Sequence, residues 1–172
     1  MIGLGRMGGN IVRRLMRHGH TSVVFDANPD SVKQLAQEGA TPSDSLAHLV
    51  SQLQAPRAVW VMLPAGDITA STIQALSALL EPGDILIDGG NSNFQDDVRH
   101  AHMLQTKGIR YLDVGTSGGV WGLERGYCMM IGGDATAATH LDPIFKTLAP
   151  GVGSIPKTPG REGKKSTAEE GY

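Results

Sequence analysis

Three glycines near the start of the chain have the spacing of a turn that binds a dinucleotide. Gly3, Gly5 and Gly8 form the pattern G-x-G-x-x-G within "MIGLGRMGGN". In such a turn the first glycine permits a tight bend and the second lets the backbone approach a pyrophosphate. The third lets the next helix pack closely on its strand. Free N–H groups at the helix N-terminus would then bind the phosphates. Only Met1 and Ile2 precede the turn.

The residues that follow the turn strengthen this interpretation. Because the chain has 23 glycines, a lone G-x-G-x-x-G arises easily by chance. Here a helical pattern follows it, and then a short apolar strand that ends in Asp26. This acid follows Gly8 at close to the interval of about 20 residues expected for a carboxylate that binds ribose. The alternative is a structural turn with Asp26 as an exposed acid at a strand end.

The same acid predicts which coenzyme binds. A carboxylate accepts hydrogen bonds from both ribose hydroxyls of NAD and repels the 2′-phosphate of NADP. The next residues, Ala27 and Asn28, carry no cation, and Asp30 adds a second acid. NAD is therefore favoured over NADP. The basic side chains near the turn that leave NADP open are Arg6, Arg13 and Arg14.

Two further segments place small or hydrogen-bonding residues where strands are predicted to end. Pro64, Ala65 and Gly66 are rigid or small, so their backbone can pack against a coenzyme. Asn91 follows two glycines, and its amide both donates and accepts hydrogen bonds, which suits a polyhydroxylated or carboxylated ligand. In a doubly wound sheet the carboxyl ends of the strands form the ligand-binding edge. The alternative for the first segment is an ordinary turn with Asp67 as a helix cap.

The most unusual segment contains Ser117, Gly118 and Gly119. It offers one hydroxyl and successive unhindered N–H groups, which suit a carboxylate or an oxyanion. A nucleophilic serine is not predicted, because the chain has neither G-x-S-x-G here nor a histidine and acid at partner spacing. Nearby, Trp121 is interpreted as a core or interface residue, and Cys128 as an inert core residue.

The sequence shows no general base for hydride transfer. Oxidation of an alcohol needs a group that takes the hydroxyl proton. The six histidines fall on predicted helices or helix ends, mostly on polar faces, and are assigned no role. The last lysines of the chain lie in a polar tail that offers nothing to activate them. They are Lys157, Lys164 and Lys165.

The elements that must position these residues alternate along the chain. Apolar runs such as "TSVVFD", "RAVWVMLP", "DILID" and "IRYLDVG" are predicted strands, and helical patterns separate them. Continuous apolar strands between helices predict a doubly wound, Rossmann-type α/β sheet, with parallel strands covered on both faces. "YCMMIGG" is predicted to be one more buried strand, and a single helix is predicted after it. The predicted helix caps are Asn28, Ser43 or Asp44, Asp67, Asn93 and Asp134.

Length and composition narrow the classes of protein. The 172 residues suit one domain with a substantial core. The net charge of −2 is spread over interspersed acids and bases, so neither nucleic acid nor a membrane surface is an expected partner. A single cysteine excludes an internal disulfide, no metal site is predicted, and a cytoplasmic setting is expected. Residues 1–156 are predicted to form the NAD-binding domain and 157–172 a polar linker or tail.

Three motifs taken together resemble 6-phosphogluconate dehydrogenase of the decarboxylating type. They are "GLGRMGGN", "DGGNS" and "DVGTSGGVWGLERGYCMMIGGD". The final segment, "PGREGKKSTAEEGY", resembles the stretch that leads out of the coenzyme domain of that family. The resemblance runs over the whole chain, and its Ser-Gly-Gly segment is also similar to the wider group of β-hydroxyacid dehydrogenases.

The resemblance implies a fold, a reaction and a set of site residues. The family oxidises 6-phosphogluconate at C3 and decarboxylates the keto acid to ribulose 5-phosphate, a step of the pentose phosphate pathway. Its members join a Rossmann-type N-terminal domain to a large helical domain and form homo-oligomers. The implied coenzyme contacts are Gly3, Leu4, Gly5, Arg6, Met7, Gly8, Asp26, Ala27, Asn28, Pro64, Ala65, Gly66 and Asn91. The implied substrate contacts are Asn91, Ser117, Gly118 and Gly119.

Departures within the resemblance bear on coenzyme and catalysis. NADP-using members share Asn-Arg-Thr where this chain has Asp26, Ala27 and Asn28, so the chain resembles the NAD-preferring bacterial branch. The family's catalytic lysine and acid are expected beyond Tyr172, so no catalytic residue is assigned. The chain is expected to bind NAD without turnover. Alternatives are a coenzyme domain of another β-hydroxyacid dehydrogenase or a non-catalytic NAD-binding module.

Overall fold

Strands and helices alternate from the glycine turn onward. The computed structural model describes residues 1–154, 156, 159–160, 163 and 166–172. Strands there are β1 (Val23–Val24), β2 (Thr41–Pro42), β3 (Ala58–Val61), β4 (Ile85–Asp88), β5 (Arg110–Ser117) and β6 (Cys128–Gly133). Helices are α1 (Arg6–Arg17), α2 (Pro29–Gln37), α3 (Leu46–Ser51), α4 (Asp67–Leu76), α5 (Phe94–Gln105), α6 (Gly122–Arg125), α7 (Ala135–His140) and α8 (Asp142–Leu148). Short 3₁₀ helices span Gly119–Trp121 and Thr167–Glu169.

The first residues of the chain join two groups of strands into one sheet. β1 pairs with β2, and β3 to β6 pair in chain order. Ile2 bridges both groups through parallel pairings with Phe25 and Val61. Its N–H donates to the Trp60 carbonyl at 2.8 Å, and its carbonyl accepts from the Met62 N–H at 2.8 Å. The resulting order, β2-β1-Ile2-β3-β4-β5-β6, is that of dinucleotide-binding sheets, and the prediction of a doubly wound α/β fold is confirmed.

Apolar side chains fill both faces of the sheet. On one face, Trp60, Ile87 and Leu112 pack with residues of α1 and α8 such as Ile11 and Phe145. On the other face, strand residues pack with those of α3, α4 and α5. This two-sided burial explains the continuous apolar character of the central strands. No helix within the described residues has the length and apolar character needed to cross a membrane.

The last strand differs from the prediction of an all-parallel sheet. β6 pairs with β5 in the antiparallel sense, with Leu112 opposite Gly133 and Ser117 opposite Cys128. A parallel pair needs a crossover of about a dozen residues or more, usually a full helix. The connection here holds a 3₁₀ turn and the four-residue α6, so the chain returns beside β5 in the opposite direction.

This edge position also corrects the prediction for Cys128 and one interpretation of Trp121. Cys128 is exposed, not a core residue. Along β6, Met129 is buried and Met130 is 71% exposed, because one face of an edge strand meets solvent. Trp121 is 62% exposed and lies under the Arg125 guanidinium, 5.0 Å from the ring centroid, so it is not a core residue.

Several helix boundaries also differ from the sequence prediction. Ser45, not Ser43 or Asp44, caps α3 by accepting a hydrogen bond from a backbone N–H. Gly66 occupies the cap position of α4, and Asp67 is its first residue. The single helix predicted after Asp134 is divided into α7 and α8, because Pro143 lacks the N–H that would continue it. The caps at Asn28, Asn93 and Asp134 are confirmed.

The described residues at the end of the chain pack against the domain. The Met129 N–H donates to the Gly171 carbonyl at 2.8 Å. The Tyr172 hydroxyl donates to Asp142 at 2.9 Å, and its ring lies near that of Phe145. Lys157, Lys164 and Lys165 lie outside the described residues. The division at residue 156 remains a prediction.

Candidate functional site

The glycine turn has the close contacts that its spacing predicts. A Cβ on Gly8 would overlap the Gly3 carbonyl oxygen, and a Cβ on Gly3 would overlap the Met62 carbonyl oxygen. Gly3 also has a φ of +87°, which glycine adopts readily. Nothing lies within 4 Å of the Cβ position on Gly5. Gly3 and Gly8 therefore serve packing, while Gly5 leaves open space above the turn.

The start of α1 suits an anion. Gly5 caps the helix without a side-chain hydrogen bond, and the first turn of α1 contains no acid. The first N–H groups of a helix have no partner within it, and the helix dipole places partial positive charge there. These features give a turn that can accept a phosphate.

Asp26 is bonded directly to the glycine turn. Its Oδ2 accepts a hydrogen bond from the Leu4 N–H at 2.6 Å, and its Oδ1 accepts one from the Asn28 N–H at 2.7 Å. The carboxylate thus joins the end of β1 to the turn. Each oxygen retains a second lone pair that can accept from a ribose hydroxyl.

A cleft of about 470 Å³ lies along the carboxyl ends of the central strands. It contains predicted residues from three separate segments, namely Gly5, Arg6, Met7, Gly8, Pro64, Ala65 and Asn91. Five others line it that were not assigned as contacts, which are Met62, Leu63, Gly89, Gly90 and Thr116. The first four belong to the two strand-end segments that the sequence singles out, whereas Thr116 lies within β5, one residue before its end, and has no sequence signal.

Other predicted residues lie away from this cleft. Asp26 and Ala27 line a neighbouring cavity of about 680 Å³ between α2 and α3. Neither cavity wall includes the remaining predicted contacts, which are Gly3, Leu4, Asn28, Gly66, Ser117, Gly118 and Gly119. Gly3 and Leu4 are buried beneath the turn. Ser117 ends β5, directly after the cleft residue Thr116.

The loop that carries Asn91 is held by a buried carboxylate. Asp88 is 0% exposed. Its Oδ1 accepts from the Gly90 N–H at 2.8 Å, and its Oδ2 accepts from the Ser92 hydroxyl at 2.9 Å. These bonds flank Asn91 on both sides. They orient the segment that brings Asn91 to the cleft.

Further acids lie beneath this loop. Burial is the main cause that raises the pKa of Asp97, and the charge of Asp88 raises it further. A hydrogen bond from the Tyr111 hydroxyl at 2.8 Å acts in the opposite direction and lowers it. Burial also raises the pKa of Asp113, with further contributions from Asp97 and Asp88. Potential ligand atoms of Asp88, Asp97 and His100 lie within 4.8 Å of one another. Within this cluster, loop donors bond the Asp88 carboxylate and Tyr111 bonds the Asp97 carboxylate.

The strand order, the glycine turn and the acid at the end of the next strand together define a Rossmann-type dinucleotide-binding domain. Within that class, residues 1–155 match the family described as the NAD binding domain of 6-phosphogluconate dehydrogenase. The chain belongs to this family, as its motifs predict.

Named relatives agree with this family. A decarboxylating, NAD(+)-dependent 6-phosphogluconate dehydrogenase of Haloferax volcanii is 42% identical over 151 residues, covering 88% of this chain and 50% of that protein. A Bacillus subtilis protein with the same description is 39% identical over 160 residues, which cover 91% of this chain and 34% of the Bacillus subtilis protein. The chain thus spans half of one relative and about a third of the other.

Solved structures extend the comparison. Plasmodium falciparum 6-phosphogluconate dehydrogenase has a TM-score of 0.82 at 28% identity, covering 90% of this chain and 34% of that one. Mycobacterium tuberculosis 3-hydroxyisobutyrate dehydrogenase has a TM-score of 0.79 at 27% identity, covering 87% and 50%. The fold is therefore shared across related dehydrogenases.

The two glycines are expected to respond differently to alanine. Gly8→Ala forces a Cβ into the Gly3 carbonyl and should lower the free energy of unfolding by about 1–3 kcal/mol or more. Gly5→Ala meets open space and loses only the preference for glycine at the helix cap, so it should lower the free energy of unfolding by less, about 0.5–1 kcal/mol. Urea unfolding of both variants and the parent measures this. Equal losses in the two variants would contradict the packing role of Gly8.

Asp97→Asn should change how stability depends on pH. A carboxyl whose pKa is raised in the folded state contributes stability below its unfolded pKa, and this is lost as pH rises through the folded pKa. The asparagine oxygen still accepts from Tyr111, so the variant should gain stability over the parent as pH increases. Urea unfolding at pH 4 to 8 measures the difference.

The matched control for this experiment is Asp96→Asn. Asp96 lies in the same first turn of α5, so its substitution removes the same charge from the helix N-terminus. Its stability relative to the parent should not show the same rise with pH. A gain for Asp97→Asn that is constant over this range would argue against a raised pKa.

Proposed function

We propose that this chain binds NAD as the coenzyme domain of an enzyme that oxidises and decarboxylates 6-phosphogluconate to ribulose 5-phosphate. The observation that carries the proposal is the hydrogen bond from the Leu4 N–H to Asp26. It makes the ribose-binding acid and the pyrophosphate-binding turn one unit. The coenzyme would extend from Asp26 across Gly5 into the cleft that contains Pro64 and Asn91.

The arrangement of charges favours NAD over NADP. Asp26 would repel a 2′-phosphate at the ribose. Arg13 is held by Glu38 through two hydrogen bonds of 2.6 and 2.7 Å. Arg14 bonds backbone carbonyls. Of the three arginines that left NADP open, Arg6 alone lines the cleft.

The relatives support this preference without deciding it. The Haloferax volcanii and Bacillus subtilis proteins are named as NAD(+)-dependent. The Plasmodium falciparum enzyme is described in complex with NADP+ and with 6-phosphogluconate. Both coenzymes therefore occur among similar proteins, and Asp26 is the residue proposed to discriminate here.

The substrate is proposed to lie between Asn91 and the Ser117–Gly119 segment. Ser117 is exposed at the end of β5, next to the cleft residue Thr116. Among the described residues that line the cleft there is no carboxylate, histidine or lysine. We propose that the base for the C3 hydroxyl comes from another part of the full-length enzyme. We also propose that the full-length enzyme forms a homo-oligomer.

A second candidate is a dehydrogenase of a smaller β-hydroxy acid. The 3-hydroxyisobutyrate dehydrogenase structure, at 27% identity and a TM-score of 0.79, favours it. The same coenzyme site serves both candidates, so they differ in the acid that binds.

Coenzyme preference is tested by calorimetric titration with NAD and NADP. The parent should bind NAD at least about tenfold more tightly. Asp26→Asn keeps one acceptor but removes the charge. It should therefore weaken NAD binding and bring the ratio of the NAD and NADP affinities close to one. Asp30→Asn removes an exposed charge from the same segment but no acceptor bonded to the turn, so it should change the ratio far less than Asp26→Asn does. A parent that binds NADP more tightly would refute the proposed preference.

The substrate is tested by titrating 6-phosphogluconate and 3-hydroxyisobutyrate into the chain saturated with NAD. 6-Phosphogluconate should bind more tightly, and Ser117→Ala should weaken it by about 1 kcal/mol, roughly fivefold, through loss of one hydrogen bond. Ser71→Ala alters an exposed serine on α4 and serves as the control. Tighter binding of 3-hydroxyisobutyrate would favour the second candidate.

A further inference from the structure

We infer that Arg14 is a positioning residue that fixes the 117–122 loop relative to the glycine turn. Arg14 lies on α1, whose N-terminus carries the turn, and its side chain reaches the elements that follow the loop. The inference rests on the proposed function, because that function assigns the substrate to Ser117–Gly119. It adds a residue outside the cleft lining that sets the relative placement of the two proposed ligands.

The Arg14 guanidinium bonds backbone on two separate elements. Its Nε donates to the Thr147 carbonyl at 3.0 Å, and Nη2 donates to the Ala149 carbonyl at 3.1 Å. Nη1 donates to the carbonyls of Leu123 and Glu124 at 3.2 and 3.4 Å. One side chain therefore ties α1 to both α6 and α8.

These acceptors need a donor from outside their helices. The last four carbonyls of any helix have no partner within it, and α6 has four residues in all. A cation at a helix C-terminus is also favourable because of the helix dipole. The planar fork of arginine serves several carbonyls at fixed angles, which a lysine ammonium does less well.

The ring of Tyr127 packs against the glycines of the loop. Its side chain is 0% exposed. A Cβ on Gly118 would lie 2.7 Å from its ring, and a Cβ on Gly122 would overlap it. The Tyr127 hydroxyl is buried and has no hydrogen-bond partner among the described residues. The ring supplies contact but no polar bond, whereas Arg14 supplies side-chain hydrogen bonds to the backbone of α6, directly after the loop.

Helix α1 can transmit this restraint to the coenzyme turn. Gly8 and Gly9 bring α1 against the carbonyls of Gly3 and Leu4, so the helix has little freedom to slide along the turn. Arg14 follows Arg6, the first helical residue, by about 12 Å along the axis at 1.5 Å per residue. The turn, α1, Arg14 and α6, which directly follows the loop, thus form one chain of close contacts.

Arg17 offers a matched control on the same helix. It pairs with Glu124 at 2.8 Å, but the two side chains are 51% and 65% exposed. Exposed ion pairs contribute little to stability. Loss of Arg17 therefore removes a cation and one contact to α6 without removing the bonds to backbone carbonyls.

The test compares hydrogen exchange in the parent, Arg14→Met, Arg14→Lys and Arg17→Met, measured by NMR on the full chain. The reporting amides are those of Trp121, Gly126 and Tyr127, which bond to Gly118, Gly122 and Leu148. Reference amides are those of Gly9 in the turn and Ile85 in the sheet. Arg14→Met should raise exchange about tenfold at the reporters and less than about twofold at the references.

Ligand titrations supply a readout that a purely structural role would not produce. Arg14→Met should bind NAD within about twofold of the parent and 6-phosphogluconate about tenfold more weakly. Arg14→Lys should recover part of both the protection and the substrate affinity, and it also keeps the test open if Arg14→Met does not fold. Arg17→Met should match the parent.

Three results would overturn the inference. The first is unchanged exchange at the reporter amides in Arg14→Met. The second is an equal rise at reporter and reference amides in Arg14→Met or Arg14→Lys. The third is an effect of Arg17→Met as large as that of Arg14→Met. A parent chain that does not bind 6-phosphogluconate would instead count against the proposed substrate. In that case the exchange data alone still decide whether Arg14 positions the loop.

Discussion

The contact between Gly8 and the Gly3 carbonyl is the constraint on which the rest of the structure depends. It sets α1 against the first sheet residues so closely that a Cβ does not fit. The helix N-terminus is thereby placed at the centre of the sheet edge, between the ends of β1 and β3. Everything proposed for the site is arranged around that point: Asp26 on one side, and Pro64, Ala65 and Asn91 on the other. Ile2 completes the arrangement by pairing on both sides despite its short strand.

The sequence predicted the fold class well because its strongest signals are local. Continuous apolar strands, the glycine turn and the caps at Asn28 and Asn93 each follow from a few neighbouring residues. The direction of β6 did not, because it depends on the length of the connection after β5. Cys128 was misassigned because an apolar run on an edge strand looks like one in a central strand, although one of its faces is exposed.

The sequence predicted the main segments of the candidate site but not the residues that hold those segments in place. Glycines and strand-end residues indicated the turn, Asn91 and the Ser117 segment. Thr116 carries no motif, and it lines the cleft because of where β5 ends. The role of Asp88 depends on local bonds to the Gly90 N–H and the Ser92 hydroxyl, and that of Arg14 on backbone carbonyls remote in sequence. Asp88 has two opposed effects: it orients the Asn91 loop, and its charge raises the pKa of the neighbouring Asp97.

The double use of Asp26 has a consequence for how coenzyme choice can evolve. The residue proposed to select NAD also accepts the Leu4 N–H that secures the turn. Replacing it with a residue that has no side-chain acceptor would leave that buried donor without its partner, at a cost of about 1–3 kcal/mol. A lineage changing coenzyme would therefore do so at least cost through asparagine, whose amide oxygen can still accept from the Leu4 N–H while the charge is lost. The coenzyme choice proposed for this chain is thus constrained by the architecture of the turn as well as by the ligand.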